Sequence, residues 1–512
     1  MKIASRGKRL GALIVLLAWV FSTIACSQGY VSDYDLTATA MFADDKPLAT
    51  FTAVPGVTAL APQALIAPDA SMQVAIASAL PLITPVSPIE TPVPAQTDQP
   101  QPPVAPTPAV LAPEGMVLYT TQAGDSLASV AAHFGVSQEE ISSLERFDPS
   151  GFLPIGKILV IPNTLTNFGP GEGIVPDSEV VYTTTALDFD IAGYIQSTAG
   201  YLSTYKEYLA EGWLDAAAII RKVSIDNATN PRLLIALIEY QSGWVRGIPA
   251  TQTRIDYPLG YLHTDRKGLY KQLTWAAQTM EAGYYGWRGG SLATLGFREG
   301  SKVRIAPSLN AGSVAVQYLF SKMYSPNDWL NTISGQSSFT QLYAELFGNP
   351  WLRAQTVEPL IPPGTAQPEL QLPFQRNIRW SFTGGPHGAW ARDGARAALD
   401  FAPPAAAKGC TLSNEWVVSP ASGVIARTGV GIVVLDLDGD GNEWTGWNIL
   451  MLHVAEFERV VVGTQVNAGD KIGHPSCEGG ISTGTHVHIA RKYNGEWVLA
   501  DGPIPFTLDG YV

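Results

Sequence analysis

Between Phe51 and Pro113 the chain has no aromatic residue, and eleven prolines fall from Pro81 to Pro113. Such a stretch cannot bury enough apolar surface to offset the entropy of ordering it, so it is an extended spacer and not part of a core. A second Pro-rich stretch, at residues 358–369, divides the remainder of the chain. At 512 residues the chain is too long for one core, and two to four domains are expected. The resulting divisions are an N-terminal signal at 1–26, a spacer at 27–115, a small unit at 116–164, a helical region at 180–355, a linker at 356–372 and a C-terminal domain at 373–512. The fold class is multidomain α+β. The formal net charge of -13 argues against nucleic acid, and against gripping anionic polymers through a basic surface.

Residues 1–26 read as an export signal. Lys2, Arg6, Lys8 and Arg9 precede an apolar run at 10–21, which ends in Ser22-Thr-Ile-Ala-Cys26. The small residues before Cys26 resemble a bacterial lipobox, implying a lipidated N-terminus and membrane contact through that anchor alone. Thr23 stands where the motif usually has Leu, and a plain secretory signal or an uncleaved anchor remains open. Each alternative places the rest of the chain outside the cytoplasm.

Residues 117–163 read as a strand, two helical stretches and a closing strand. The run Tyr119-Thr-Thr-Gln-Ala-Gly-Asp-Ser-Leu127, with Val130, Phe134-Gly-Val-Ser137, Ile141 and the closing Leu153 to Pro162, resembles a LysM module. Glu145 departs from the family's Asn. The resemblance implies a βααβ fold that binds N-acetylglucosamine chains of peptidoglycan or chitin.

In the helical region, Asn230-Pro231 sets a capping residue before Pro at a first helical position, and Leu233, Leu234, Leu237 and Ile238 form an apolar stripe. Residues 230–244 resemble the first motif of lysozyme-like lytic transglycosylases, implying an all-α lysozyme-like domain. That family has a glutamate general acid before Ser-Gly, where this chain has Gln241. An amide cannot serve as a general acid, and Glu239 lies roughly on the other side of the helix. The region therefore reads as non-catalytic, a glycan-binding or spacing domain or a helical domain of unrelated purpose.

Five of the seven histidines (His387, His453, His474, His486 and His488) lie beyond the second linker. A zinc site needs neutral imidazoles and a carboxylate converging from separate segments, with one position open to water. Three segments supply such groups. Gly384-Gly-Pro-His387 reads as a tight loop presenting a histidine, followed by a strand carrying Asp400. Residues 447–453 read as an apolar strand ending in His453. In Gly479-Gly-Ile-Ser-Thr-Gly-Thr-His486-Val-His488, the two histidines sit two apart and so face one way on a strand.

These segments resemble the zinc endopeptidases that include β-lytic endopeptidase, staphylolysin and, more distantly, lysostaphin. Many members carry His four residues before the ligand Asp, where this chain has Arg396, a guanidinium that does not bind zinc. The β-lytic branch instead uses Gly-Gly-x-His with Asp thirteen residues on, the spacing of His387 and Asp400. Carried over residue by residue, the resemblance makes His387, Asp400 and His488 the zinc ligands. It makes His453 and His486 the catalytic pair flanking the open position, with their division of labour undetermined. His474 matches no ligand and reads as a surface or loop residue. Of the three cysteines, Cys26 belongs to the anchor, and Cys410 and Cys477 occupy the positions of the branch's two cysteines, which implies that they pair.

Asp436, Asp438 and Asp440 copy the first half of an EF-hand loop, but Trp447 stands where the loop's Glu belongs. An acidic hairpin turn is the expectation, with calcium a minority reading.

Together these readings imply a mostly antiparallel β zinc peptidase domain that cleaves amide bonds in the peptide stem or cross-bridge of peptidoglycan, held to the glycan strand by the LysM module. Two rivals remain: an activator of a separate amidase, and a wall-binding scaffold without activity.

Overall fold

The computed structural model describes residues 112–405, 409–411 and 413–511, which belong to one compact unit. The expected signal at 1–26 and all of the spacer except 112–115 lie outside the described residues.

Three strands, β1 (Met116–Thr120), β2 (Ser142–Ser143) and β3 (Ile158–Pro162), form a sheet ordered β1-β3-β2 against helix α1 (Leu127–Phe134). Ser126 and Ser129 cap the start of α1 reciprocally, and Gly135 ends it at φ 68°. The expected second helix is only a 3-10 turn, Gln138–Glu140, because Ser137 and Ile141 on either side are both extended.

Helix α2 (Pro231–Ser242) starts where Asn230 accepts from the Arg232 amide and stops at Gly243, φ 67°. Leu233 to Ile238 are buried at every position, so the helix centre is enclosed on all sides and not amphipathic. Tyr324 Oη donates to Gln241 Oε1 at 2.8 Å, and Glu239 Oε2 accepts from the Val245 amide at 2.8 Å. The region is not all-α. Lys206–Leu209 pairs with Gly212–Asp215, and Thr294–Gly296 with Lys302–Arg304. In the first hairpin Gly212, at φ 104°, turns the chain, and Tyr208 and Trp213 face each other across the strands.

Helix α3 (Leu269–Arg288), 20 residues long, packs along α4 (Ala311–Ser321). Gly283 permits that approach, since a Cβ there would sit 2.7 Å from Tyr318 Cβ. The expected linker at 356–372 is packed: Leu360 and Ile361 are buried, and Glu358 accepts from the Ser178 amide at 2.7 Å.

The C-terminal region is an antiparallel sheet of β4 (Ser381–Gly388), β5 (Arg396–Ala402), β6 (Gly423–Gly429), β7 (Ile432–Asp436), β8 (Trp447–Leu452), β9 (Gln465–Val466), β10 (Val487–Tyr493) and β11 (Glu496–Trp497). Its order is β9-β6-β7-β8-β10-β5-β4, with β11 also on β10. Alternation sorts the two faces. Ile449, Met451, Val487 and Ile489 point into the sheet's own core. Leu450, Leu452, Ala490 and Ala398 point the other way, into one core shared with α2, α3 and α4. The helical region thus covers one face of the sheet, and that face carries the histidines.

Candidate metal centre

Strand pairing places His488 on β10 opposite Asp400 on β5, and also opposite Leu452, the residue before His453. His387 comes from β4, which is a strand with three register shifts and not the expected loop. Glycine permits close approaches along this strand: a Cβ on Gly384 would lie 2.7 Å from Asp400 Oδ2, and one on Gly388 would lie 2.0 Å from the Ala391 carbonyl. His453, just past the end of β8, takes φ 62°, rare for a residue with a Cβ.

Every imidazole in the cluster has one nitrogen fixed by a backbone carbonyl. His387 Nδ1 donates to Gly385 at 2.9 Å, His488 Nε2 to Ala389 at 3.0 Å, His453 Nδ1 to Glu478 at 2.9 Å and His486 Nδ1 to Gly484 at 2.7 Å. A carbonyl can only accept, so each of these nitrogens carries the proton and the other ring nitrogen presents a lone pair.

Three such acceptors converge. His387 Nε2 lies 3.0 Å from His488 Nδ1 and 3.2 Å from Asp400 Oδ1, and His488 Nδ1 lies 3.1 Å from the same oxygen. Asp400 Oδ1 is buried, and the two imidazole nitrogens are its polar neighbours. Lone pairs gathered this closely repel one another unless a proton or a metal cation lies between. Ligands about 2.0–2.1 Å from zinc in tetrahedral array are separated by about 3.3 Å, so the triad fits that ion. The side chain of His387 is 38% exposed, which leaves the cluster open to solvent on that side.

The electrostatics favour a charged carboxylate and neutral rings at His453 and His488, while His387 is shifted the other way by Asp400. Burial, helped by the neighbouring His486 and His488, pushes His453 down to about 3, and burial also lowers His488. The Asp400 hydrogen bond raises His387 against its burial. For Asp400, burial acts upward, but His387, His488 and His486 outweigh it and hold the carboxyl well below the usual range.

His486 Nε2 lies 3.6 Å from Asp400 Oδ2, and the His453 and His486 rings lie 4.4 Å apart, so both stand beside the triad. Cys410 and Cys477 form a disulfide with Cα atoms 5.7 Å apart. It ties the loop before β6 to the loop that carries His486, where Thr411 N also donates to Thr485 Oγ1 at 3.0 Å. Arg396 faces away, exposed and 3.5 Å from Asp501. His474 lies outside the cluster on a loop but is buried, not at the surface: its ring packs on Trp416 at 3.9 Å, and Nδ1 donates to the Glu415 carbonyl. The carboxylates of Asp436, Asp438 and Asp440 accept from amides of their own β7–β8 turn, as expected of an acidic hairpin.

The carbonyl partners and the positive φ of His453 are backbone features that no residue pattern announces. The Gly-Gly pairs before His387 and His486 were their nearest signal.

The family model described as LasA, N-terminal domain, matches residues 173–360, the stretch whose sequence suggested a lysozyme-like fold, and the LysM domain matches residues 119–162. Protease LasA of Pseudomonas aeruginosa is 27% identical over 356 residues, covering 64% of this chain and 75% of its own length. Among solved structures, the M23 metalloprotease pseudoalterin, from the deep sea, is 24% identical with a TM-score of 0.21, covering 26% of this chain and 75% of that one. The catalytic domain of lysostaphin from Staphylococcus simulans is 26% identical with a TM-score of 0.18, covering 23% of this chain and 82% of that one.

Proposed function

We propose that the chain is a LasA-like zinc metalloendopeptidase with a LysM domain, and that it hydrolyses amide bonds in the peptide stem or cross-bridge of peptidoglycan. The observation that carries the reading is the convergence of His387 Nε2, Asp400 Oδ1 and His488 Nδ1 within 3.0–3.2 Å of one another, each imidazole fixed by a carbonyl. In this reading those three residues hold zinc, and zinc bound there lowers the pKa of water towards neutrality and polarises the scissile carbonyl.

The remaining steps fall to His453 and His486. Each keeps Nδ1 on a backbone carbonyl, so Nε2 is the nitrogen that presents a lone pair, and burial keeps His453 neutral at physiological pH. One accepts the proton of the attacking water; the other hydrogen-bonds the developing oxyanion and protonates the leaving amine. The LysM domain raises the effective concentration of this site at a polymeric substrate. The work would lie outside the cytoplasm, with Cys26 as the anchor if its lipobox is used.

Mass spectrometry of material released from purified peptidoglycan tests the proposal. Peptide fragments should appear with zinc present and vanish with a chelator or with His488→Ala. Release of sugar fragments alone, or of none, would remove the endopeptidase reading and favour a scaffold or an amidase activator.

A further inference from the structure

Residues 389–395 join β4 to β5 and are held from two sides. On one side, the Ala389 carbonyl accepts from His488 Nε2 at 3.0 Å. On the other stands Glu281 of α3, in the helical region. Its Oε1 accepts from the Ala395 amide at 3.4 Å, and a Cβ on Gly394 would fall 2.5 Å from that oxygen. Between the two sides, the Ala389 amide donates to the Ala395 carbonyl at 2.8 Å. Ala389 and Ala395 are both fully buried, so this backbone pair is shielded from solvent.

Glu281 has no evident duty in its own region. It is 5% exposed, its Oε2 is buried without a partner, and the Ala395 amide is its one hydrogen-bond donor among the described residues. A buried carboxyl with half its capacity unmet is costly, which calls for a reason. We propose that Glu281 is a positioning residue for His488, acting through the Ala395–Ala389 backbone pair. The helical region is then a working part of the hydrolase and not a spacer.

The inference rests on the reading of His488 as a zinc ligand. Partners that fix the second nitrogen of a ligating imidazole set its tautomer and aim, and their loss typically costs about 10–100-fold in metal affinity. Burial, opposed by the Ala395 amide and by Lys492, favours the uncharged form of Glu281. Gln reproduces the shape and the acceptor of that form, whereas Ala removes both. Gly394→Ala acts from the other side of the contact, because its methyl group displaces the carboxyl.

The test uses the full chain and two readouts, the visible spectrum of the cobalt(II)-loaded protein and zinc affinity by chelator competition. Glu281→Ala should shift the cobalt(II) bands and weaken zinc about 10-fold. Gly394→Ala should do the same, and Glu281→Gln should match the wild type. A merely structural role would lower the unfolding temperature and leave the spectrum unchanged. Wild-type spectrum and affinity in Glu281→Ala, or in Gly394→Ala if the first variant does not fold, would overturn the proposal. So would a Glu281→Gln variant as impaired as Glu281→Ala. If the wild type binds neither metal, the zinc-site reading itself fails, whatever Glu281 does.

Discussion

Arg288, at the last turn of α3, donates from Nε to Glu496 Oε1 of β11 at 2.9 Å. The same guanidinium donates from Nη2 to Asp177 Oδ2 at 2.8 Å and from Nη1 to the LysM carbonyl of Ala123 at 2.7 Å. One buried fork therefore joins the LysM module, the helical region and the peptidase sheet. His133 of α1 reinforces the joint, stacking on Trp287 at 3.4 Å.

Arg288→Ala leaves Glu496 and Asp177 buried without their cation. Breaking a buried pair from one side costs about 3–5 kcal/mol. Urea denaturation should show a loss of that size, and limited proteolysis should separate the LysM module from the rest. Lysine should not rescue the joint, because it lacks the planar fork.

Glu281 makes stability depend on pH. Burial pushes its carboxyl from 4.5 up to about 8. Between those values the folded chain keeps a proton that the unfolded chain has released, so stability falls as pH rises. The contribution is whole below about 4.5 and gone by about 8. Denaturation midpoints measured across that window should decline in the wild type and decline less in Glu281→Gln.

His453 and His486 should separate from the ligands by kinetics. Alanine at either position should leave zinc bound and lower kcat by about 10²–10³-fold, as loss of a general base or an oxyanion donor does. Zinc content measured alongside turnover distinguishes this from loss of metal.

The Cys410–Cys477 bridge closes a loop with a sequence separation of 67 residues. Serine at both positions should lower stability by about 4 kcal/mol on the chain-entropy account. Thermal melts with and without reductant should differ for the wild type and coincide for the variant.

Much of the site was legible in one dimension. The two-residue step from His486 to His488 is a spacing that a strand converts directly into a shared face, and the thirteen-residue step from His387 to Asp400 was legible through its match to the β-lytic branch. The cysteine pair was implied by the same resemblance, with only two cysteines left once Cys26 is set aside. The bulges of β4 were not, since register shifts are set between neighbouring strands and leave no mark in the sequence pattern. Nor were Arg288 and Glu281, whose partners in the C-terminal region lie 208 and 114 residues away, because pairs so distant leave no periodicity to read. The two hairpins were hidden in a region whose long apolar helices set the expectation. In the LysM unit, three residues between two extended positions made a turn where a helix was expected.

Zinc stoichiometry tests the central claim most directly. Metal analysis of the full chain purified with zinc should give one zinc per wild-type molecule, and none for His387→Ala, Asp400→Asn or His488→Ala. Wild-type protein without zinc, or ligand variants that keep it, would contradict the account.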